Sequence, residues 1–198
     1  MFARRLIACN IRALREQHVD EPTIALIMEL YKDQRGCANG SRTFDIRRGV
    51  KQGDVLSSLL FNACIEMVFR RWKDRLRSHG LDVTNQGERL TNTRYADDVL
   101  LYAKSLAEVQ EMLPILHDEL AKVGLQMHAG KTKILTTSQS GTPTLVELDD
   151  MRIEVLPSTA CHKYLGRQLC LDATSRTNVE IDNRCRCAWA KFHQCSVG

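Results

Sequence analysis

The sequence predicts an α+β fold in which helices alternate with short antiparallel hairpins. Apolar residues between Leu56 and Trp72 recur at intervals of three and four, which is the period of one face of an amphipathic helix. Turn residues interrupt short extended runs at Asn39-Gly40 and again at Asn85-Gln86-Gly87, and Asn-Gly is a strong hairpin signal. With 43% hydrophobic and 26% charged residues in 198, the composition is that of a globular domain with a sizeable core.

The helices of the first half are predicted from their periodicity and their end residues. A first helix spans Leu6 to His18. Asp20 can cap a second helix, with Pro22 in its first turn, and Gly36 is expected to end it. The long helix that contains the apolar period is expected to stop at Gly80.

Two further helices are predicted in the second half. Ser105-x-x-Glu108 is a capping-box pattern that opens a helix closed by Gly124. Pro114 lies inside that helix, so a kink or a break is expected there. The last amphipathic helix runs from about Val179 to Phe192.

Short extended segments fill the spaces between these helices. Residues 81–94 are expected to form a hairpin, and residues 125–128 a two-stranded unit with 133–137. The polar stretch 138–144 has the composition of a linker. Beyond it, a hairpin is predicted around Asp149-Asp150, whose polar flanks favour an ordinary solvated turn.

A second pair of adjacent carboxylates, Asp97 and Asp98, lies directly before the apolar run Val99–Ala103. That run is short and rich in strand formers, which predicts a buried strand entered through a tight turn. Such a turn directs both carboxylates toward one point, and Mg²⁺ usually takes one or two protein carboxylates. An isolated Asp-Asp pair is more often a solvated turn, so the flanking motifs carry the argument for a metal site.

A basic loop from Arg47 to Asp54, with Gly49 and Gly53, immediately precedes the long helix. A helix start behind such a loop presents backbone N–H groups and positive charge to anions. The same residues equally fit a plain loop in which Asp54 caps the helix. Both interpretations stay open from the sequence.

The net charge, the lengths of the apolar runs and the cysteine spacing limit which classes of protein the sequence fits. A net charge of +4 permits nucleic-acid binding without arguing for it. The chain has no apolar run of membrane-spanning length and no signal-peptide pattern, so a nuclear or cytoplasmic protein is expected. The eight cysteines lack disulfide-scaffold spacing and are expected to be reduced. Cys185-x-Cys187, with His193 and Cys195, lacks a Cys-x-x-Cys pair, so zinc is not the favoured interpretation.

Four stretches together resemble a reverse transcriptase of the non-LTR (LINE-type) retrotransposon family. They are Arg48–Asn62, Tyr95–Asp98, Gly124–Lys133 and Tyr164–Gly166, in the family's order and over about residues 1 to 170. The first two motifs are specific, the third is moderately so, and the last is weak alone. Group II intron proteins share the Asp-Asp turn, but Gly-Val-Lys-Gln-Gly-Asp is closer to the LINE type.

The resemblance implies a right-hand polymerase palm, an antiparallel sheet backed by helices, followed by part of a thumb. Residues 1–137 would be a palm fragment and residues 138–198 the end of the palm and the start of the thumb, with the fingers missing. The implied activity is RNA-directed DNA polymerisation, a nucleotidyl transfer. Its partners would be an RNA template, a DNA primer and dNTPs, with no membrane. Its cofactor would be two Mg²⁺ ions, with Mn²⁺ as a substitute.

The resemblance also implies the roles of individual residues. Asp97 and Asp98 would bind the metal ions, with Asp97 as the main ligand, and both would be catalytic together with Lys131 near the triphosphate. The residues that would contact the template or the incoming nucleotide are Arg48, Gln52, Gly53, Tyr95 and Ala96.

The chain also departs from the family pattern. Val55 and Ser58 stand where the family usually has proline, and His128 replaces a typical asparagine. The family has a third carboxylate, in a Phe-Asp pair on a strand before the first helix. Here Phe2-Ala3 falls at that position, and the first acidic residue is Glu16. Either the strand is missing from this N-terminally truncated chain or its aspartate has become alanine.

Two carboxylates on one turn hold a pair of metal ions poorly without a third. The sequence therefore predicts a reverse-transcriptase domain that is impaired as an isolated chain. The alternatives are an inactive remnant that at most binds RNA or an RNA–DNA hybrid, and an unstable fragment without function.

Overall fold

A computed structural model describes residues 2–32, 35–38, 42–45, 55–76, 78–84, 87–137, 144–148 and 151–195. The fold is α+β, as predicted. The helices are α1 (Phe2–Glu16), α2 (Glu21–Leu30), α3 (Val55–Arg75), α4 (Leu106–Lys122) and α5 (Arg176–Cys195). The strands are β1 (Arg35–Ala38), β2 (Arg42–Asp45), β3 (Leu81–Asp82), β4 (Arg89–Leu90), β5 (Asn92–Tyr95), β6 (Asp98–Leu101), β7 (Lys133–Leu135), β8 (Leu145–Leu148), β9 (Met151–Leu156), β10 (Cys161–Tyr164) and β11 (Arg167–Cys170).

The described strands form small sheets. The pairs β1–β2, β3–β4, β5–β6 and β10–β11 are antiparallel, and β7, β9 and β8 form a three-stranded sheet in that order. In that sheet β8 and β9 are antiparallel, whereas β7 and β9 are parallel. The expected unit of 125–128 with 133–137 is therefore wrong, because β7 takes its hydrogen bonds from β9 instead.

The main core lies where α1, α2, α3 and α4 meet, and its centre is Trp72 of α3. The Trp72 side chain is 0% exposed, and its indole N–H donates a hydrogen bond of 3.0 Å to the Met112 carbonyl in α4. Phe69 packs edge-on against Trp72, with ring centroids 5.3 Å apart. A smaller core between α4 and the three-stranded sheet includes Leu113, Ile134 and Ile153.

Both predicted helix caps are confirmed. The Asp20 carboxylate accepts a hydrogen bond of 2.9 Å from the Thr23 amide at the start of α2. The Ser105 hydroxyl accepts one of 3.2 Å from the Glu108 amide at the start of α4. In a capping box the Glu108 carboxylate would accept a hydrogen bond from the Ser105 amide. It instead accepts hydrogen bonds from the amides of Lys104 and Gly80, the latter 28 residues earlier in the sequence.

Several predicted ends differ from the structure. α2 ends at Leu30 rather than at Gly36, because Gly36 pairs with Phe44 within the β1–β2 hairpin. α3 ends at Arg75, five positions before Gly80, whose amide is bound by Glu108. α4 is not broken at Pro114, since the neighbouring Met112, Leu113 and Leu116 are buried and hold the helix in place.

Two stretches that the resemblance singled out lie in the following elements. Phe2 and Ala3, aligned with the family's Phe-Asp pair, are the first two residues of α1 and are not part of a strand. Tyr164 ends β10, but Leu165 and Gly166 form the turn to β11, with φ of 48° and 78°.

The cysteine prediction is wrong for one pair. Cys161 and Cys170 face each other across β10 and β11 and form a disulfide bond, so they are not reduced thiols. Cys185, Cys187 and Cys195 are free and exposed. Within the described ranges, no three His, Cys, Asp or Glu side chains are grouped so that they could hold a metal ion.

Among the described helices, none combines the length and the apolar character needed to cross a bilayer.

Candidate functional site

The Asp97-Asp98 pair lies at the end of a regular two-stranded hairpin. β5 and β6 pair from Asn92 opposite Leu101 to Tyr95 opposite Asp98, so that Ala96 and Asp97 form the connecting turn. Ala96 has a φ of 53°, a left-handed conformation that costs a non-glycine residue about 1–2 kcal/mol. The predicted tight turn is thus present, with Asp97 in it and Asp98 as the first residue of β6.

Both carboxylates are exposed at this turn. No hydrogen bond or ion pair joins either of them to a side chain in the part of the chain that the structure describes. Their oxygen atoms are therefore not occupied by a neighbouring cation such as Arg94, whose partner is Glu66. Carboxylate oxygens in this state are the donors that hard divalent cations prefer.

The hairpin is attached to the main core by its strands. Val99, predicted to lie in a buried strand, is half-buried, and together with Leu101 it packs against the core. Beyond β6, the Tyr102 amide donates a hydrogen bond of 2.8 Å to the Thr91 carbonyl at the other end of the hairpin. These contacts hold β5 and β6 against the core, and none of them involves the turn residues Ala96 and Asp97.

Polar contacts also attach the hairpin to α3. Arg94 of β5 donates a hydrogen bond of 2.5 Å to the Glu66 carboxylate. Arg70 donates a second one of 2.9 Å to the same side chain. The hydrogen bond from Arg94 is the main reason that the pKa of Glu66 lies below its ordinary value. The sequence alone does not reveal this contact, because a polar pair 28 residues apart leaves no periodic signal.

The other predicted site residues are only partly visible. Arg48, Gln52 and Gly53 lie outside the described residues. Lys131 lies in a turn after α4, where its amide donates a hydrogen bond of 3.0 Å to the His128 carbonyl and its side chain is exposed. Among the described residues, Lys131 makes no hydrogen bond or ion pair with Asp97 or Asp98, and its role near the triphosphate stays a prediction.

Comparison with known proteins places this hairpin in a family context. The family model described as "Reverse transcriptase (RNA-dependent DNA polymerase)" matches residues 7–169, which include every element from β1 to β10.

The curated relatives are proteins of mobile elements. The chain is 32% identical over 152 residues to the Pol polyprotein of the retrotransposable element R2DM of Drosophila melanogaster, covering 72% of this chain and 14% of that protein. It is 26% identical over 179 residues to the R2 polyprotein of Popillia japonica, covering 85% and 25%. An uncharacterized transposon-derived protein of Caenorhabditis elegans is 35% identical over 115 residues, covering 54% and 38%.

The chain spans well under half of the length of these relatives. The match nevertheless covers most of the chain itself and includes the Asp97-Asp98 hairpin. It confirms the predicted resemblance to the reverse transcriptases of non-LTR retrotransposons. This chain belongs to the reverse transcriptase (RNA-dependent DNA polymerase) family.

Proposed function

We propose that this chain supplies the metal-binding hairpin of an RNA-directed DNA polymerase, with Asp97 and Asp98 as the ligands. The observation that carries the proposal is the pair of exposed, unengaged carboxylates at the end of a hairpin whose strands are attached to the core. Such a hairpin offers two adjacent anionic groups to a cation without first having to break an internal salt bridge.

The residues present fit a divalent metal ion, though with few ligands. Reverse transcriptases as a family use divalent metal ions, and carboxylate oxygens suit both Mg²⁺ and Mn²⁺. The described residues add no third carboxylate to Asp97 and Asp98. Asp97 and Asp98 would hold such ions, whose positive charge would favour ionisation of the primer 3′-hydroxyl and offset charge on the leaving pyrophosphate.

The protein's own groups have distinct tasks in this proposal. Asp97 is the main ligand and Asp98 the second, and Lys131 offsets negative charge on the triphosphate. The residues proposed to contact the template or the incoming dNTP are Arg48, Gln52, Gly53, Tyr95 and Ala96. Residues 1–137 would then belong to a palm and 138–198 to its end and the start of a thumb. The template and primer would be met in the nucleus or the cytoplasm.

The isolated chain is expected to be impaired in this reaction. Two carboxylates from one turn constrain a pair of ions less than three carboxylates from two strands do. A site that has only Asp97 and Asp98 as its carboxylates lacks stabilisation that is needed most in the transition state. We therefore separate metal binding, which this chain should retain in weakened form, from polymerisation.

Metal binding is tested first, with Mn²⁺ followed by electron paramagnetic resonance. Asp97→Asn keeps the size of the side chain and removes one of two anionic ligands, so Mn²⁺ affinity should fall at least about tenfold. The matched control is Asp182→Asn, the same change at an exposed position of α5, which should leave the affinity unchanged. Equal affinities for all three proteins would contradict the proposed ligands.

Primer extension on an RNA template with dNTPs and Mg²⁺ tests the reaction itself. We expect extension near background for the unmodified chain and for Asp97→Asn. Robust extension that disappears in Asp97→Asn would show that a further carboxylate completes the site, and would contradict the predicted impairment. Binding of an RNA–DNA hybrid without any metal dependence would favour the alternative of an inactive, nucleic-acid-binding remnant.

A further inference from the structure

One side chain of the hairpin, Arg94, points away from the carboxylate turn toward α3. It lies on β5, directly before Tyr95, and pairs with Val99 across the hairpin. Its Nη2 donates the hydrogen bond of 2.5 Å to Glu66 Oε2, and its guanidinium carbon lies 4.7 Å from the centroid of the Phe69 ring. Because successive residues of a strand face opposite sides, the exposed Tyr95 faces the other way.

The two partners of Arg94 lie one helical turn apart on α3. Phe69 is buried and packs edge-on against Trp72, and Trp72 is hydrogen-bonded to α4. A guanidinium over an aromatic face is attracted by the electron density of the ring. Arg94 therefore contacts a buried side chain of the main core.

The Arg94–Glu66 pair differs from the ion pairs on the surface. Its side chains are 24% and 35% exposed, whereas those of the cross-strand pair Arg152–Glu147 are 74% and 71% exposed. Partial burial reduces screening by water and salt, so that a pair of this kind holds its geometry better than an exposed one. Glu66 stays ionised at neutral pH, because Arg94 and Arg70 both donate hydrogen bonds to it.

We propose that Arg94 is a positioning residue, which sets through Glu66 and Phe69 where the Asp97-Asp98 turn lies relative to α3. The inference rests on the proposed function of that turn. Strand pairing fixes the shape of a two-stranded hairpin but leaves its tilt against a neighbouring helix to side-chain contacts, and an isolated hairpin is marginally stable. Only one pair of residues, Tyr95 and Asp98, separates the Arg94–Val99 pair from the turn.

The test compares Mn²⁺ affinity across substitutions that remove the contact in different ways. Arg94→Ala removes both the hydrogen bond and the stacking, and should weaken Mn²⁺ binding about tenfold, as loss of outer contacts to metal ligands typically does. Arg94→Lys keeps the charge without the planar group and should fall between Arg94→Ala and the unmodified chain. Glu66→Gln keeps the shape of the acceptor and removes its charge.

Two controls separate positioning from general destabilisation. Arg152→Ala removes a strand arginine from an exposed pair and should leave both Mn²⁺ affinity and the thermal midpoint unchanged. The double substitution Arg94→Ala with Glu66→Gln should weaken binding no more than Arg94→Ala alone, since both act through one contact. If the loss were purely structural, the Mn²⁺ affinity of each variant would instead fall in proportion to its thermal midpoint.

The possible outcomes keep this proposal distinct from the proposed function. If Asp97→Asn weakens Mn²⁺ binding but Arg94→Ala and Glu66→Gln do not, the turn binds metal and the positioning role is wrong. If Asp97→Asn has no effect, the metal-binding turn itself is wrong. If Arg94→Ala fails to fold, Arg94→Lys and Glu66→Gln still decide, because each keeps most of the packing.

Discussion

The hairpins β5–β6 and β10–β11 are built alike but attached differently. Each consists of two four-residue strands joined by a two-residue turn that follows a tyrosine. In both turns the first residue is a non-glycine in the left-handed region, Ala96 with a φ of 53° and Leu165 with a φ of 48°. The second turn residues differ, since Gly166 also has a positive φ, of 78°, whereas Asp97 does not.

The attachments differ in kind. β5–β6 packs on the main core through Val99 and Leu101 and contacts α3 through Arg94. β10–β11 is closed by its own disulfide and meets α5, where Glu180 accepts a hydrogen bond from the Gln168 amide. The comparison teaches that a covalent link can maintain the shape of a hairpin, whereas holding its turn at a defined place requires contacts with a packed core.

The largest expected effect comes from removing the packed side chain beneath the first hairpin. Trp72→Ala leaves a cavity beside α3 and leaves the Met112 carbonyl of α4 without its hydrogen-bond donor. It should lower the free energy of unfolding by about 3–5 kcal/mol. Urea unfolding followed by circular dichroism measures it. Trp189→Ala on α5, where the side chain is 63% exposed, is the matched control and should change stability by less than about 0.5 kcal/mol. Similar losses in both variants would refute this account of the core.

The second effect should be confined to the other hairpin. Replacing Cys161 and Cys170 together by alanine removes a link between residues nine apart in sequence, and should destabilise the closed hairpin by roughly 2–3 kcal/mol on loop-entropy grounds. Hydrogen exchange read by mass spectrometry should show faster exchange in β10–β11 and unchanged exchange in β5–β6. Replacing the free cysteines 185 and 187 is the control and should change neither hairpin. Faster exchange in both hairpins would mean that they are not independent.

The third effect depends on pH and concerns the α3–α4 contact that supports the first hairpin. Glu119 is 4% exposed and accepts hydrogen bonds from Arg75 at 2.9 Å and Lys122 at 2.6 Å. Burial alone would raise the pKa of Glu119, but the hydrogen bonds from Lys122 and Arg75 bring it below its ordinary value. Its contribution to stability is therefore complete above the unfolded-state pKa of about 4.3 and is lost as the pH falls through the lower folded-state pKa.

Glu119→Gln should remove that acid-sensitive contribution. Stability at pH 7 should fall by about 1–3 kcal/mol, since two cations lose a buried anionic partner. The difference from the unmodified chain should shrink below pH 4 or so, which unfolding curves at several pH values would reveal. Glu147→Gln, which alters an exposed pair, should leave the pH profile unchanged. If the two proteins differed in free energy of unfolding by the same amount from pH 7 to pH 3, the proposed pH dependence of the Glu119 contribution would be wrong.

The smallest effect compares the first residues of the two turns, Ala96 and Leu165, which share the left-handed conformation. Glycine tolerates a positive φ without steric cost but loses more backbone entropy on folding. Ala96→Gly and Leu165→Gly should therefore each raise the free energy of unfolding by no more than about 1 kcal/mol. Calorimetry of the two single variants gives the comparison. Opposite signs would show that attachment to the core alters the turn that it supports.

Much of the fold could be predicted because its signals are local. The period of α3, the cap at Asp20 and the hairpin around Asp97 follow from neighbouring residues, and each is present in the structure. Leu59 belongs to the apolar period between Leu56 and Trp72, yet its side chain is exposed. Apolar spacing predicts which residues share a face, not how far the neighbouring elements extend over it.

The rest required tertiary contacts. The parallel pairing of β7 with β9 joins segments about twenty residues apart, and no local pattern distinguishes it from an antiparallel partner closer in sequence. The contact between Arg94 and Glu66 is also absent from any local pattern. Polar residues on a helix face are normally exposed to water, so nothing in the sequence indicates that Glu66 has a protein partner. For the candidate site, the sequence was sufficient to predict the turn that carries the aspartates, but not the contacts that orient it.

The carboxylate of Glu108 has a consequence for how α4 forms. A capping box normally allows the first turn of a helix to complete itself from its own residues. Here the Ser105 half of that arrangement is local, while the two oxygens of Glu108 bind one nearby amide, that of Lys104, and one distant amide, that of Gly80. A loop from the first half of the chain thus adds one contact to the start of α4, and a peptide of α4 cut out on its own would lack that contact.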